Sequence, residues 1–98
     1  MNNEKNKIVI TGGNGRFCKI LKLSNKNLNI YYPEKNKLNI LKINSIESYL
    51  KKIKPKYLIH CAGLSRPMSI HDTEISKSID INIIGTANIV KICSKLKI

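Results

Sequence analysis

Three glycines crowd the stretch Thr11, Gly12, Gly13, Asn14, Gly15, Arg16, Phe17 and Cys18, directly after the apolar run Ile8, Val9 and Ile10. Glycines at this spacing suit the binding of a phosphate group. Gly12 permits a tight turn, Gly15 lets the backbone approach an anion, and the free amides of a following helix face that anion with the positive end of the helix dipole. A strand before and a helix after is the setting in which such a loop holds a dinucleotide pyrophosphate. A second polar group, Ser65, Arg66 and His71, lies in the stretch 64–71, and the Arg66 guanidinium suits the diphosphate of a nucleotide substrate. His60 and Cys61 are adjacent, so on a strand they point to opposite faces and share a metal poorly, and His60 reads as a packed histidine. Tyr31 and Lys35 stand four apart, the spacing of a catalytic Tyr and Lys pair, but Pro33 between them denies the helix that would align the two side chains.

The elements that would position these groups follow from periodicity. Ile8, Val9 and Ile10 form a short strand of the doubly buried kind, and Phe17, Ile20 and Leu21 lie at helical spacing with Lys19 and Lys22 turned outward. Leu28 to Tyr32 reads as a second strand closed by Pro33, and Leu38 to Ile43 as a third. Asn44 and Glu47 have the spacing of a capping box for a helix that carries Ile46, Leu50 and Ile53 and stops at Pro55. Tyr57, Leu58 and Ile59 make a fourth strand, ending in Cys61, Ala62 and Gly63. A final helix starts at Asp72 as N-cap and runs to the carboxyl end. One of its stripes carries Ile75, Ile79, Ile83, Ala87 and Val90, and another Ile81, Ile84, Ile92 and Leu96. Two stripes need two covers, one from the sheet and one from a neighbour. The helix 74–96 is thus an expected contact for a homodimer. Strands alternating with helices predict an α/β fold, a partial Rossmann doubly wound parallel sheet of about four strands with helices on both faces.

Three segments carry a resemblance. Thr11, Gly12 and Gly15 match the TGxxGxxG pattern of the extended short-chain dehydrogenase/reductases, YLIHCAG over Tyr57 to Gly63 is similar to that family's VIHxAA, and DINIIGTAN over Asp80 to Asn88 contains NxxGTxN. They come in the expected order and span essentially the whole chain, and within the family the run from the third strand at Leu38 through Pro55 is similar to dTDP-4-dehydrorhamnose reductases and related nucleotide-sugar epimerases and dehydratases. The resemblance implies that Gly12, Gly15, Arg16 and Phe17 hold a pyrophosphate, largely through backbone amides. It places Ala62 and Gly63 against the adenosine and ribose, puts Asn82 near the cofactor, and gives Gly85 no side chain because one would crowd a neighbour. It implies hydride transfer at a sugar carbonyl or hydroxyl, with NADP or NAD as cofactor and a nucleotide sugar bound only by a full-length form. The family's catalytic Ser or Thr and YxxxK pair have no counterpart here, so the chain is expected to be the cofactor half, inactive in isolation.

Two positions depart from the pattern. Cys18 stands where the family has a third glycine, so a thiol must find room between helix and strand, which predicts looser packing and weaker cofactor binding. At the end of strand two, Tyr31, Tyr32 and Pro33 replace the acidic residue that selects the ribose 2′-hydroxyl of NAD. Arg16 and Lys35 within reach of a 2′-phosphate favour NADP, with Glu34 acting in the opposite direction.

Composition narrows the field further. The chain has 98 residues, an apolar fraction of 42% and no Pro, Ser or Gly run marking a linker, which predicts a single nucleotide-binding domain over 1–98 that is incomplete at its carboxyl end. The net charge of +12 suggests a nucleic-acid partner, but Lys, Asn and Ile make up almost half the chain and the lysines are scattered. Only Lys51, Lys52, Lys54 and Lys56 cluster, and no aromatic residues interleave with them for base stacking. Nucleic-acid binding is therefore the weaker alternative, behind a dinucleotide-binding module without catalysis. Three cysteines without a CxxC motif read as reduced thiols, and the chain offers no signal-peptide core and no long apolar run, so a cytoplasmic, membrane-free protein is expected.

Overall fold

The computed structural model describes residues 6–24, 29–63 and 70–98. Three parallel strands, β1 (Ile8–Thr11), β2 (Ile30–Tyr31) and β3 (Tyr57–His60), stand in the order β2-β1-β3. Helix α1 (Arg16–Ser24) joins β1 to β2, and α2 (Ile43–Ile53) joins β2 to β3. After β3 come the short α3 (Ile70–Thr73) and α4 (Ile75–Ile79), a π-helical stretch Asp80–Ile84, and α5 (Gly85–Leu96). The first crossover steps from β1 to one side and the second steps back across it. With both right-handed, α1 and α2 fall on opposite faces of the sheet, as the doubly wound reading requires.

The larger core lies on the α2 and α5 face. Val9 of β1, Ile46 and Leu50 of α2, and Ile89 and Ile92 of α5 are buried together with Leu38 and Ile40. Pairing in register sets Val9 beside Leu58, which packs on the same cluster, and Ile10 beside Ile59 on the opposite face. That opposite face is thinly covered. Ile10 and Cys18 are fully buried, yet Ile59 is 45% and Tyr57 54% exposed. Helix α1 turns Cys18 inward, half-covers Leu21, and leaves Phe17 and Ile20 outside, which corrects the expected inward face of Phe17, Ile20 and Leu21.

The sheet has three described strands rather than about four, because Leu38 to Ile43 is not a strand. Its alternation is real, with Leu38 and Ile40 buried, but its backbone groups are satisfied elsewhere. Asn39 N–H donates to Ser45 Oγ at 2.9 Å, Leu41 N–H to Asn39 Oδ1 at 3.0 Å, and the Ile40 carbonyl accepts from Asn88 Nδ2 at 2.9 Å. Local side-chain acceptors of this kind compete with a ladder, and here they win. The capping box is likewise unused. The N-cap of α2 is Lys42, without a side-chain cap, and Glu47 instead pairs with Lys51 at 2.9 Å and with Lys95 of α5 at 2.8 Å. Those two ammonium groups, Lys95 first, hold the Glu47 carboxyl below its usual range. Lys54 closes α2 in the left-handed conformation with φ 56° just before Pro55.

The single helix expected from Asp72 onward is broken at Glu74, where φ is −129° and ψ 64°. From Ile75 to Leu96 it runs without a gap. Within it the Gly85 N–H reaches back five residues to the Asp80 carbonyl, the bond of a π-helical turn. Lys97 then adopts φ 60° and the Ile98 N–H donates to the Cys93 carbonyl at 2.9 Å, which ends the helix in a Schellman motif. Among the described residues no helix is long and apolar enough to cross a membrane.

Candidate functional site

The carboxyl ends of β1, β2 and β3 open on one cleft of about 420 Å³. Its lining includes the loop Thr11 to Gly15, the residues Tyr32 to Lys35 after β2, the segment Leu38 to Leu41, and Cys61, Ala62 and Gly63 after β3. This is the switch point of the strand order, where neighbouring crossovers leave in opposite directions and a crevice must form. The expected binding residues Gly12, Gly15, Ala62 and Gly63 come together there. Asn82 stands just behind, its Oδ1 3.2 Å from where a Gly63 side chain would begin. Arg16 and Phe17 are exposed on the first turn of α1, outside the lining. Arg66 and Ser65 lie outside the described residues, as does the side chain of His71.

The glycine loop is fixed by close backbone packing. Gly12 has φ 79°, and a Cβ there would sit 2.8 Å from the Ala62 nitrogen and 2.9 Å from the Cys61 carbonyl carbon, so no other residue fits without parting the strand ends. Gly15 N–H donates to the Gly12 carbonyl at 2.9 Å, and Lys19 N–H to the Gly15 carbonyl at 3.0 Å. The amides of Arg16, Phe17 and Cys18 precede that first helical bond and take no carbonyl from within the helix. A Cβ on Gly15 would meet only the Gly12 carbonyl oxygen, at 3.1 Å, so its remaining surroundings are open to an approaching group. Lys22, expected to point to solvent, instead reaches back. Its ammonium donates to the Gly13 carbonyl at 3.0 Å and lies 4.6 Å from the centre of the Tyr32 ring. Beneath them the Tyr32 hydroxyl is buried with no partner among the described residues.

Thr11 organises the other wall, a role that its place in the glycine motif did not reveal. Its Oγ1 accepts the N–H groups of Cys61 and Ala62, both at 3.0 Å, and lies 2.7 Å from His60 Nδ1. A hydroxyl has one proton and two acceptor sites, so with both acceptor sites taken it donates to Nδ1. The proton of the neutral ring therefore sits on Nε2, which donates to Thr86 Oγ1 at 3.0 Å, and Thr86 passes its own proton to the Asn82 carbonyl at 3.0 Å. Burial holds the His60 imidazole below its usual range, which suits a neutral ring. His60 is thus the packed histidine that its place on the strand implied. No cluster of three or more metal-ligating side chains occurs among the described residues.

The stretch Asp80 to Asn88 holds the cleft's supports. A Cβ on Gly85 would sit 2.6 Å from Ile40 Cδ1 and 2.8 Å from Ile40 Cγ1, the crowding anticipated for that glycine, while Asn88 holds the Ile40 carbonyl. Thr86 holds His60, so the residues of this motif latch both the post-β2 segment and β3. Cys18 is fully buried, and burial pushes its thiol pKa up.

Comparison with solved structures gives dTDP-4-dehydrorhamnose reductase from Bacillus anthracis in complex with NADP at 27% identity and a TM-score of 0.85, covering 95% of this chain and 34% of that one. The dTDP-4-dehydrorhamnose reductase of Yersinia enterocolitica matches at 26% identity and a TM-score of 0.77, covering 95% of this chain and 33% of that one. GDP-mannoheptose C4 reductase from Campylobacter jejuni with NADP bound shares the fold at 18% identity and a TM-score of 0.80, covering 100% of this chain and 32% of that one. The chain therefore spans about a third of the length of these solved relatives. None of the curated proteins gives a significant match. The family model described as RmlD substrate binding domain matches residues 6–98. With that match over nearly its full length, the chain belongs to the RmlD substrate binding domain family.

Proposed function

We propose that this chain is the NAD(P)-binding portion of a nucleotide-sugar reductase, epimerase or dehydratase. The observation that carries the reading is the cleft at the strand ends, where Gly12 is pressed against Ala62 and the first-turn amides of α1, which take no carbonyl from within the helix, follow at once. A cleft of about 420 Å³ lies within the range of small-molecule and cofactor sites. The open surroundings of Gly15 fit a pyrophosphate approaching the backbone. Gly12, Gly15, Arg16 and Phe17 hold that pyrophosphate, and Ala62 and Gly63 leave room for adenosine and ribose, with Asn82 supporting Gly63. The bound dinucleotide supplies or accepts the hydride. Residues of this chain bind and orient it, and Arg66 is assigned to the diphosphate of the sugar substrate.

NADP is favoured over NAD. Tyr32, Pro33, Glu34 and Lys35 line the cleft after β2, with no acid at the strand end and the Lys35 cation available to a 2′-phosphate. The isolated chain binds weakly and turns over no nucleotide sugar, since no residue here takes the place of the family's Ser or Thr and YxxxK pair. It self-associates through the helix 74–96, whose outer stripe is apolar.

Titration with NADPH, NADH and duplex DNA over a salt series tests the reading. NADPH is expected to bind more tightly than NADH. DNA binding that outcompetes both and falls steeply with salt would replace the reading with a nucleic-acid one. Reduction of a dTDP-4-dehydro sugar by the purified chain would contradict the non-catalytic part.

A further inference from the structure

Lys22 stands on the second turn of α1, yet its side chain runs back to the glycine loop and lines the cleft. The ammonium donates to the Gly13 carbonyl at 3.0 Å and rests 4.6 Å from the centre of the Tyr32 ring. Gly13 makes that meeting possible, because a Cβ there would sit 2.9 Å from Tyr32 Cβ and 3.7 Å from the Lys22 nitrogen. Both partners are neutral. Among the described residues the carboxylate that forms ion pairs is Glu47, with Lys51 and Lys95, and none pairs with Lys22. Of the three ammonium protons, the carbonyl takes one and the ring face another, so a donor and an uncancelled positive charge remain at the cleft. Tyr32 directly follows β2. In a dinucleotide site of this topology the adenosine ribose lies at that strand end, where a carboxylate accepts from the 2′-hydroxyl of NAD.

We infer that Lys22 is a specificity-determining residue for the adenosine end of the cofactor, its ammonium binding the 2′-phosphate of NADP. The inference rests on the dinucleotide reading above and assigns the discrimination to a residue of α1, which the spacing of the glycine motif does not mark. The pyrophosphate has its own partners in Gly15 and the first-turn amides, so the free cation beside Gly13 and Tyr32 answers a second anionic group. A phosphate monoester supplies that group, with close to two negative charges, and a compact ammonium meets it as a point charge. Tyr32 suits the arrangement. An acid in its place would pair with Lys22 and cancel the charge, whereas the ring face holds the ammonium without neutralising it. Because Lys22 is already anchored, little side-chain freedom is lost when the phosphate arrives. NADH offers the same cation only a ribose hydroxyl.

The test is titration of the whole chain and of Lys22→Met, which keeps the apolar stem and removes the charge, with NADPH and NADH. Adenosine 2′,5′-bisphosphate and adenosine 5′-diphosphate serve as fragments that carry and lack the 2′-phosphate. Lys22→Met is expected to weaken NADPH and the bisphosphate by about tenfold, the worth of one hydrogen bond to a charged group, and to leave NADH and the diphosphate unchanged. Lys22→Arg is expected to keep most of the preference. Equal losses for all four ligands would make Lys22 a prop of the glycine loop and overturn the inference. So would an unchanged NADPH affinity in Lys22→Met with the preference lost in Lys35→Met instead. The two levels of the account separate in the unsubstituted chain. If it binds both cofactors and Lys22→Met leaves their ratio unmoved, the inference alone falls; if it binds neither, the dinucleotide reading falls and the inference with it.

Discussion

His60 shows how one hydroxyl fixes a protonation state. Thr11 donates to Nδ1 because its acceptor sites are already filled by the Cys61 and Ala62 amides, so a second ring proton would face another donor. Burial lowers the folded pKa from the ordinary 6.5, so above that value folded and unfolded chains both carry a neutral ring and stability is full. As pH falls below 6.5 the unfolded chain takes up the proton first and stability drops, until the folded pKa is passed. Denaturant titrations should therefore show stability declining from pH 6.5 to 5 with a slope of at most about 1.4 kcal/mol per pH unit from this residue. His60→Gln should remove that part of the slope. An unchanged slope would show that His60 is not held neutral. Gly85 gives a second test at this scale. A methyl group there collides with Ile40, and Gly85→Ala should cost about 1–3 kcal/mol. Ile40→Val, by removing the nearest atom, should recover part of that loss in the double variant, measured by thermal melting.

At the scale of elements, much of the architecture was legible in the sequence and some of it was not. The apolar runs gave β1, β2 and β3, and Pro55 gave the end of α2, because burial and a missing N–H act locally. Leu38 to Ile43 misled because alternation reports burial and not pairing. The groups that take its backbone, Ser45 and Asn88, lie on helices that periodicity treats separately. The face of α1 was misjudged for a related reason. Apolar type pointed to Phe17 and Ile20, while the side chain that the fold turns inward is Cys18. In the site, the glycines and Ala62 were legible from motif and context. Thr11 and Lys22 were missed, since their roles depend on partners brought close only by the fold. Lys54 offers a test of helix termination. A left-handed conformation is costly for any residue with a Cβ, so Lys54→Gly should raise the melting midpoint by an amount worth about 1 kcal/mol. A fall would indicate that the lysine side chain has a stabilising partner.

Among the described residues, large apolar side chains stand uncovered in several places. Ile75, Ile79, Ile83 and Val90 stand out along the last helices, and Tyr57 and Ile59 on the α1 face of the sheet. Apolar patches of this extent usually meet a partner. Light scattering is expected to show a mass that rises with concentration in the micromolar range, and Ile79→Lys with Ile83→Lys is expected to shift it toward the monomer. A monodisperse monomer at high micromolar concentration would remove self-association from the account.

The central claim is that the cleft between the glycine loop and the end of β3 binds a dinucleotide. Amide-resolved NMR during titration with NADPH tests it most directly, because it detects even weak binding and reports its place. The account predicts saturable shifts concentrated on Gly12, Gly13, Gly15, Arg16, Phe17, Ala62 and Gly63, and at least a tenfold weaker response in Gly15→Ala, where a methyl group blocks the phosphate approach. Shifts that are absent from these amides at millimolar NADPH, or that map to another surface, would contradict it.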